Sequence, residues 1–127
     1  MKYIDGTGNE TSKAPGNQEA QEVANIVELN VDSFQSTLEQ DKPVLIDFWA
    51  PWCGPCRVQG PILHDVAAAL GEDAIVAKVN VDDQPELASA FKVQGIPTLV
   101  VLKKKTVTKR FVGVQSEKTL VSALRAA

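Results

Sequence analysis

A chain of 127 residues with 44% hydrophobic and 23% charged side chains can bury a core of its own as one domain, without disulfide staples. Its net charge of −3 gives no field that would draw nucleic acid or an anionic membrane, and no run of about 18 apolar residues is present to span a bilayer. The start of the chain also lacks the apolar stretch of a secretory leader, so the expected compartment is the cytoplasm, with an exported form whose leader has been removed as the alternative.

Residues 1–22 differ in material from the rest. Gly6, Gly8, Pro15 and Gly16 are spread among Asn, Thr, Ser, Gln and Glu, and the sizeable apolar side chains are Met1, Tyr3 and Ile4. This composition predicts a flexible extension ahead of a globular domain at residues 23–127.

Within that domain, Ile26–Leu29 reads as a short strand. Asn30 can cap a helix over Asp32–Leu38, with Phe34 and Leu38 facing inward four residues apart. Val44–Trp49 is a nearly continuous apolar run, suited to a strand buried on both faces. A helix then opens at the cysteines and runs to about Leu70, with Ile62, Leu63, Val66 and Leu70 at helical spacing. Pro61 inside it predicts a kink, and Gly71 ends it. Ala74–Val81 is another apolar strand, and Pro85 opens a short helix to about Phe91. Thr98–Leu102 and Thr108–Val112 are close enough to form a hairpin. Ser116 and Glu117 start a last helix carrying Leu120, Val121 and Leu124 on one side. The order β-α-β-α-β-α-β-β-α implies an α/β fold, a mixed sheet with helices on both faces.

Chemistry concentrates at Cys53 and Cys56, the chain's two cysteines, between an apolar strand and a helix. A bridge over two intervening residues removes little unfolded-state entropy, so the pair serves reactivity or a metal. A closed zinc site needs four ligands. The chain offers two cysteines and one histidine, His64, at a spacing that fits no finger, so zinc is set aside and His64 is read as solvent-facing.

Dithiol chemistry fits better. Unpaired N–H groups and the partial positive charge of a helix N-terminus would stabilise a thiolate at Cys53 and make it the nucleophile. Cys56 lies one turn deeper on the same side. It can attack the mixed disulfide that Cys53 forms with a substrate, in an intramolecular second step. Gly54 lets a partner chain approach, and Pro55 stiffens the turn. Asp47 interrupts the apolar strand six residues before Cys53. A buried acid there is expensive to ionise and could take the proton from Cys56 as that thiol attacks. Lys78, in the adjacent-looking strand, could pair with Asp47, and an ordinary surface lysine is an equally good reading. Ile96-Pro97-Thr98 marks a tight turn at a strand start, without choosing between cis and trans.

The run Asp47-Phe48-Trp49-Ala50-Pro51-Trp52-Cys53-Gly54-Pro55-Cys56, with Pro61, Lys78, Asp82, Gly95-Ile96-Pro97-Thr98 and Gly113, resembles the thioredoxin family in register over about residues 23–127. The resemblance implies the thioredoxin fold, a central mixed five-stranded sheet flanked by four helices, with a cis bond at Pro97 packed against the dithiol. It implies Cys53 as the exposed attacking thiol, Cys56 as the resolving thiol, Asp47 as the buried proton carrier and Lys78 as the group that tunes it. An extended client strand would lie across Trp52, Gly54, Pro55, Ile96, Pro97, Val112, Gly113 and Val114. The implied activity is general protein-disulfide reduction by a monomer that holds no cofactor and no metal. Electrons would come from NADPH through a flavin-dependent thioredoxin reductase and pass to disulfide-containing client proteins. Gly-Pro between the cysteines is the family's reducing version, whereas His at the second position marks oxidants and isomerases. The rival readings are an exported oxidase or isomerase, and an adaptor that never cycles the pair. An adaptor would need neither the intact dithiol nor Asp47.

One departure stands out. Lys105 occupies a position where the family usually carries a turn glycine, within Lys103-Lys104-Lys105-Thr106. A Cβ costs energy at positive φ, which predicts a turn of another type. With Lys109 and Arg110 nearby, these lysines suggest either a basic patch for an acidic partner or, preferably, a solvated hairpin whose charges discourage edge pairing.

Overall fold

Val44–Trp49 becomes the central strand of a five-stranded sheet in the computed structural model, which describes residues 25–127. The extension expected over residues 1–22 and the domain start at residue 23 lie outside the described residues. Among the described residues the strands are β1 (Ile26–Glu28), β2 (Val44–Trp49), β3 (Ile75–Asn80), β4 (Thr98–Lys103) and β5 (Thr106–Val112), in the spatial order β1-β3-β2-β4-β5. β3 pairs in parallel with β1 and β2, while β4 pairs antiparallel with β2 and β5. The helices are α1 (Val31–Leu38), α2 (Gly54–Leu70), α3 (Pro85–Ala90) and α4 (Glu117–Ala126), and a 3-10 turn at Gly71–Asp73 follows α2. Element order and sheet type agree with the sequence reading.

Successive strand side chains point to opposite faces, and the core divides accordingly. Leu45, Val76, Leu99 and Val101 meet Leu63 and Val66 of α2 and Leu120 and Leu124 of α4. On the other face Ile46, Phe48, Val79 and Val100 meet Leu38 of α1 and Leu87 of α3. Phe34 and Phe91 close that layer edge to face, with ring centroids 5.6 Å apart.

Local sequence explains where the helices begin and end. Asn30 Oδ1 accepts the Ser33 N–H at 2.9 Å, and Ser33 Oγ accepts the Asn30 N–H at 3.1 Å, a reciprocal capping box that starts α1. Ser116 Oγ accepts the Thr119 N–H at 3.1 Å and starts α4. α2 continues through Pro61 to Leu70 and stops at Gly71, whose φ of 53° is easy only for a residue without a Cβ.

The β4–β5 turn departs from expectation. Lys104 and Lys105 have φ of 51° and 68°, the two positive values a type I′ turn requires. Lys103 pairs directly with Thr106, leaving a two-residue connection, and between twisted antiparallel strands such a connection selects that turn whatever its residues. Nor are the lysines a free basic patch. Lys104 Nζ lies 3.7 Å from Asp41 and Lys105 Nζ 3.6 Å from Glu39, exposed pairs that add little stability. Lys105→Gly is expected to relieve about 1 kcal/mol of left-handed strain and raise Tm by roughly 4 °C. Calorimetry showing an unchanged or lower Tm would mean that the turn stores no such strain.

Candidate active site

β2 delivers the chain to the start of α2, and Cys53 is the residue that caps it. Its Sγ accepts the Cys56 N–H at 3.2 Å, so an otherwise unpaired helix donor points at this sulfur. Pro55 sits in the first turn, where a missing N–H is harmless. Cys53 and Cys56 are joined as a disulfide with Cα atoms 5.3 Å apart.

The two cysteines are equally buried, at 4% and 5% exposure, so the expected exposed attacking thiol is not what this form presents. The reason is packing. Ala50 shares a small cluster with both cysteines, and Trp49, Val81 and Ile96 close against it. Position at the helix end separates the two sulfurs, and exposure does not.

The Ile96–Pro97 bond is cis, as the resemblance implied. The Ile96 carbonyl oxygen lies 3.8 Å from Cys53 Sγ, which brings this turn against the dithiol. Thr98 Oγ1 donates to the Gly95 carbonyl inside the turn. The Gly113 N–H then donates to the Pro97 carbonyl at 2.8 Å, drawing the segment after β5 to the same place. Trp52, Gly54, Pro55, Val112 and Val114 are exposed, Ile96 and Gly113 are half-buried, and Pro97 is buried. Of the eight residues expected to meet a client strand, Pro97 alone is therefore withdrawn from the surface. Trp52 is held on the rim by its Nε1–H, which donates to Asp82 Oδ2 at 2.9 Å. The sequence reading gave Asp82 no task, because a contact across 30 positions leaves no local mark.

Asp47 sits on β2, the strand that leads into the dithiol. It shares the Leu45 face of β2, the face that α2 covers, and β2 leads directly into the cysteines. It is 1% exposed, and among the described residues neither carboxylate oxygen has a hydrogen-bond partner. Burial pushes its pKa up to about 7, with Lys78 pulling it down and Glu28 adding a small upward push. Strand register explains both neighbours. Asp47 is level with Lys78, and Lys78 with Glu28, in one row across β2, β3 and β1. Lys78 forms no salt bridge with Asp47. Its Nζ sits 4.2 Å from the Trp49 ring centroid, a cation–π seat, and acts on the acid through space. Glu28 was missed in the sequence because row partners are set by strand pairing.

Gln59 was also missed, although a trace of it was visible. It falls on the inward face of α2 between Cys56 and Leu63, where an apolar residue is normal, and it is fully buried. His64 is exposed. Among the described residues no group of three or more His, Cys, Asp or Glu side chains is placed to hold a metal ion. No helix among them is long and apolar enough to cross a membrane. A cavity of about 650 Å³ between β5 and α4 shares no residue with the dithiol site.

This geometry can do thiol–disulfide exchange, and comparison with known proteins agrees. The thioredoxin family model matches residues 25–126. A thioredoxin from Alicyclobacillus acidocaldarius subsp. acidocaldarius is 45% identical over 92 residues, covering 72% of this chain and 88% of its own. A bifunctional thioredoxin reductase/thioredoxin from Mycobacterium leprae is 41% identical over 91 residues, 72% of this chain and 20% of its own. Among solved structures, a mutant thioredoxin from Halobacterium salinarum NRC-1 superposes with a TM-score of 0.74 at 33% identity, covering 80% of this chain and 89% of that one. Sequence, fold and dithiol chemistry converge, and the chain belongs to the thioredoxin family of thiol–disulfide oxidoreductases.

Proposed function

We propose that the chain is a general protein-disulfide reductase that serves cellular redox balance as a monomer in the cytoplasm. The observation that carries this reading is the helix-capping Cys53, whose sulfur accepts the Cys56 N–H, on a helix entered from the strand that holds the buried Asp47. In the reduced form the Cys53 thiolate attacks one sulfur of a client disulfide. That bond breaks, the departing client sulfur takes a proton, and Cys53 is left in a mixed disulfide. Cys56 then gives its proton to the Asp47 carboxylate and attacks Cys53 Sγ, releasing the second client thiolate. Two electrons have passed to the client, and the dithiol has become the disulfide. With its pKa at about 7, Asp47 is part-ionised at neutral pH, able to take this proton and return it. Lys78 adjusts that balance from the neighbouring strand.

The client lies as an extended strand over Trp52, Gly54, Pro55, Ile96, Val112, Gly113 and Val114, with Pro97 just beneath. No cofactor is held by this chain. Re-reduction comes from NADPH through a flavin-dependent thioredoxin reductase, and the relative that carries a reductase in the same polypeptide supports this pairing.

The test is insulin-disulfide reduction with dithiothreitol, followed by equilibration with glutathione. Turnover is expected, with a potential of roughly −270 mV, the value general to thioredoxins. A potential near about −120 mV would instead favour an oxidase. Absence of turnover would favour an adaptor.

A further inference from the structure

We propose that Gln59 is a positioning residue for client recognition, holding the segment between β5 and α4 against the helix that carries both cysteines. The inference rests on the client surface described above. Gln59 lies one turn beyond Cys56 on α2 and is fully buried. Its Nε2 donates to the Gln115 carbonyl at 3.0 Å, and its Oε1 accepts the Gln115 N–H at 2.8 Å. The side-chain amide thus pairs with one residue's backbone as a neighbouring strand would, using a donor and an acceptor on each side.

Gln115 has a second anchor, its Nε2 donating to the Gly113 carbonyl at 3.3 Å. Gly113, at a φ of 97°, donates in turn to the Pro97 carbonyl at 2.8 Å. The segment is therefore pinned to the cis-proline turn on one side and to α2 on the other. Val112 and Val114, both exposed, flank the pinned glycine. Gln59 contacts neither sulfur through these bonds. What it sets is where Gly113 and Val114 stand relative to Cys53.

An apolar residue at position 59 would leave the Gln115 donor and acceptor without partners, and buried groups of that kind are costly. The segment would shift to find water, and a client strand would lose its register. Small disulfides that reach Cys53 without touching Gly113 or Val114 would not notice.

The experiment compares wild type, Gln59→Met and Gln59→Glu on insulin and on hydroxyethyl disulfide, with amide hydrogen exchange of each folded protein by NMR. Methionine matches the volume without the polar atoms, and glutamate keeps an acceptor for the Gln115 N–H. Gln59→Met is expected to raise KM for insulin about tenfold, with kcat within about twofold and hydroxyethyl disulfide reduction unchanged. The Gln115 amide should exchange faster while α2 amides stay protected, and Gln59→Glu should fall between the two proteins. Equal losses on both disulfides, or an insulin KM within about twofold of wild type for both variants, would overturn the proposal. Wild type that reduces neither disulfide would sink the reductase reading itself, a distinguishable result.

Discussion

Cys53→Ser is expected to abolish insulin reduction, whereas Cys56→Ser should stop the cycle one step later, with client attached through Cys53. The assignment rests on the helix end and not on exposure, which is 4% and 5% for the two residues. Cys53 Sγ receives the Cys56 N–H and stands where the helix dipole favours negative charge, which is why the proposed cycle has Cys53 attack first. Once the mixed disulfide exists, Cys56 is already in place, and an intramolecular attack outruns external thiols by effective concentrations of about 10⁵ M or more. Removing it leaves resolution to free thiol in the buffer, so turnover should fall by at least about a thousandfold. Mass spectrometry under non-reducing conditions should show a client adduct on Cys56→Ser and none on Cys53→Ser. The reverse pattern would exchange the two roles.

The second large effect belongs to Asp47. Its folded pKa of about 7 stands above the ordinary 3.8, so between those values the folded state binds more protons than the unfolded one. Stability is then fully present below pH 4 and is lost as pH rises through 7. At pH 8 the buried carboxylate costs up to roughly 4 kcal/mol, an order-of-magnitude figure from about 1.4 kcal/mol per pH unit. Asparagine has the same shape and cannot ionise. Asp47→Asn should therefore be more stable than wild type by roughly 2–4 kcal/mol at pH 8, with the gain vanishing near pH 4. Urea denaturation at both pH values measures this, and an equal difference at both would mean that burial does not penalise the charged form. The same variant should resolve mixed disulfides about a hundredfold more slowly at neutral pH, since no base takes the Cys56 proton. An unchanged rate would remove Asp47 from the mechanism.

Both effects trace to one compromise. An acid with no hydrogen-bond partner among the described residues is retained in the middle of an apolar strand, where it destabilises the folded chain at neutral pH. Apolar residues would pack there without that cost. The proton transfer from Cys56 proposed for Asp47 would give the site a reason to keep it.

What could be read without coordinates was whatever short stretches of chain decide. The strand Val44–Trp49, the capping Asn30 and Ser116, the stop at Gly71 and the Cys53–Cys56 pair at a helix start each depend on neighbours a few positions away. Asp47 was legible because an acid in an apolar run is an anomaly wherever the run ends up. Tertiary structure decided everything that joins distant positions: the row Glu28–Lys78–Asp47, the Trp52–Asp82 bond, the Gln59 pairing with Gln115, and the packing of Ile96 and Val81 that covers Cys53. It also overruled a local preference at Lys104 and Lys105, because the spacing of β4 and β5 fixed the turn before its residues could. Local propensity acts within a turn or two of chain. Strand register and side-chain burial exist only once the sheet has closed.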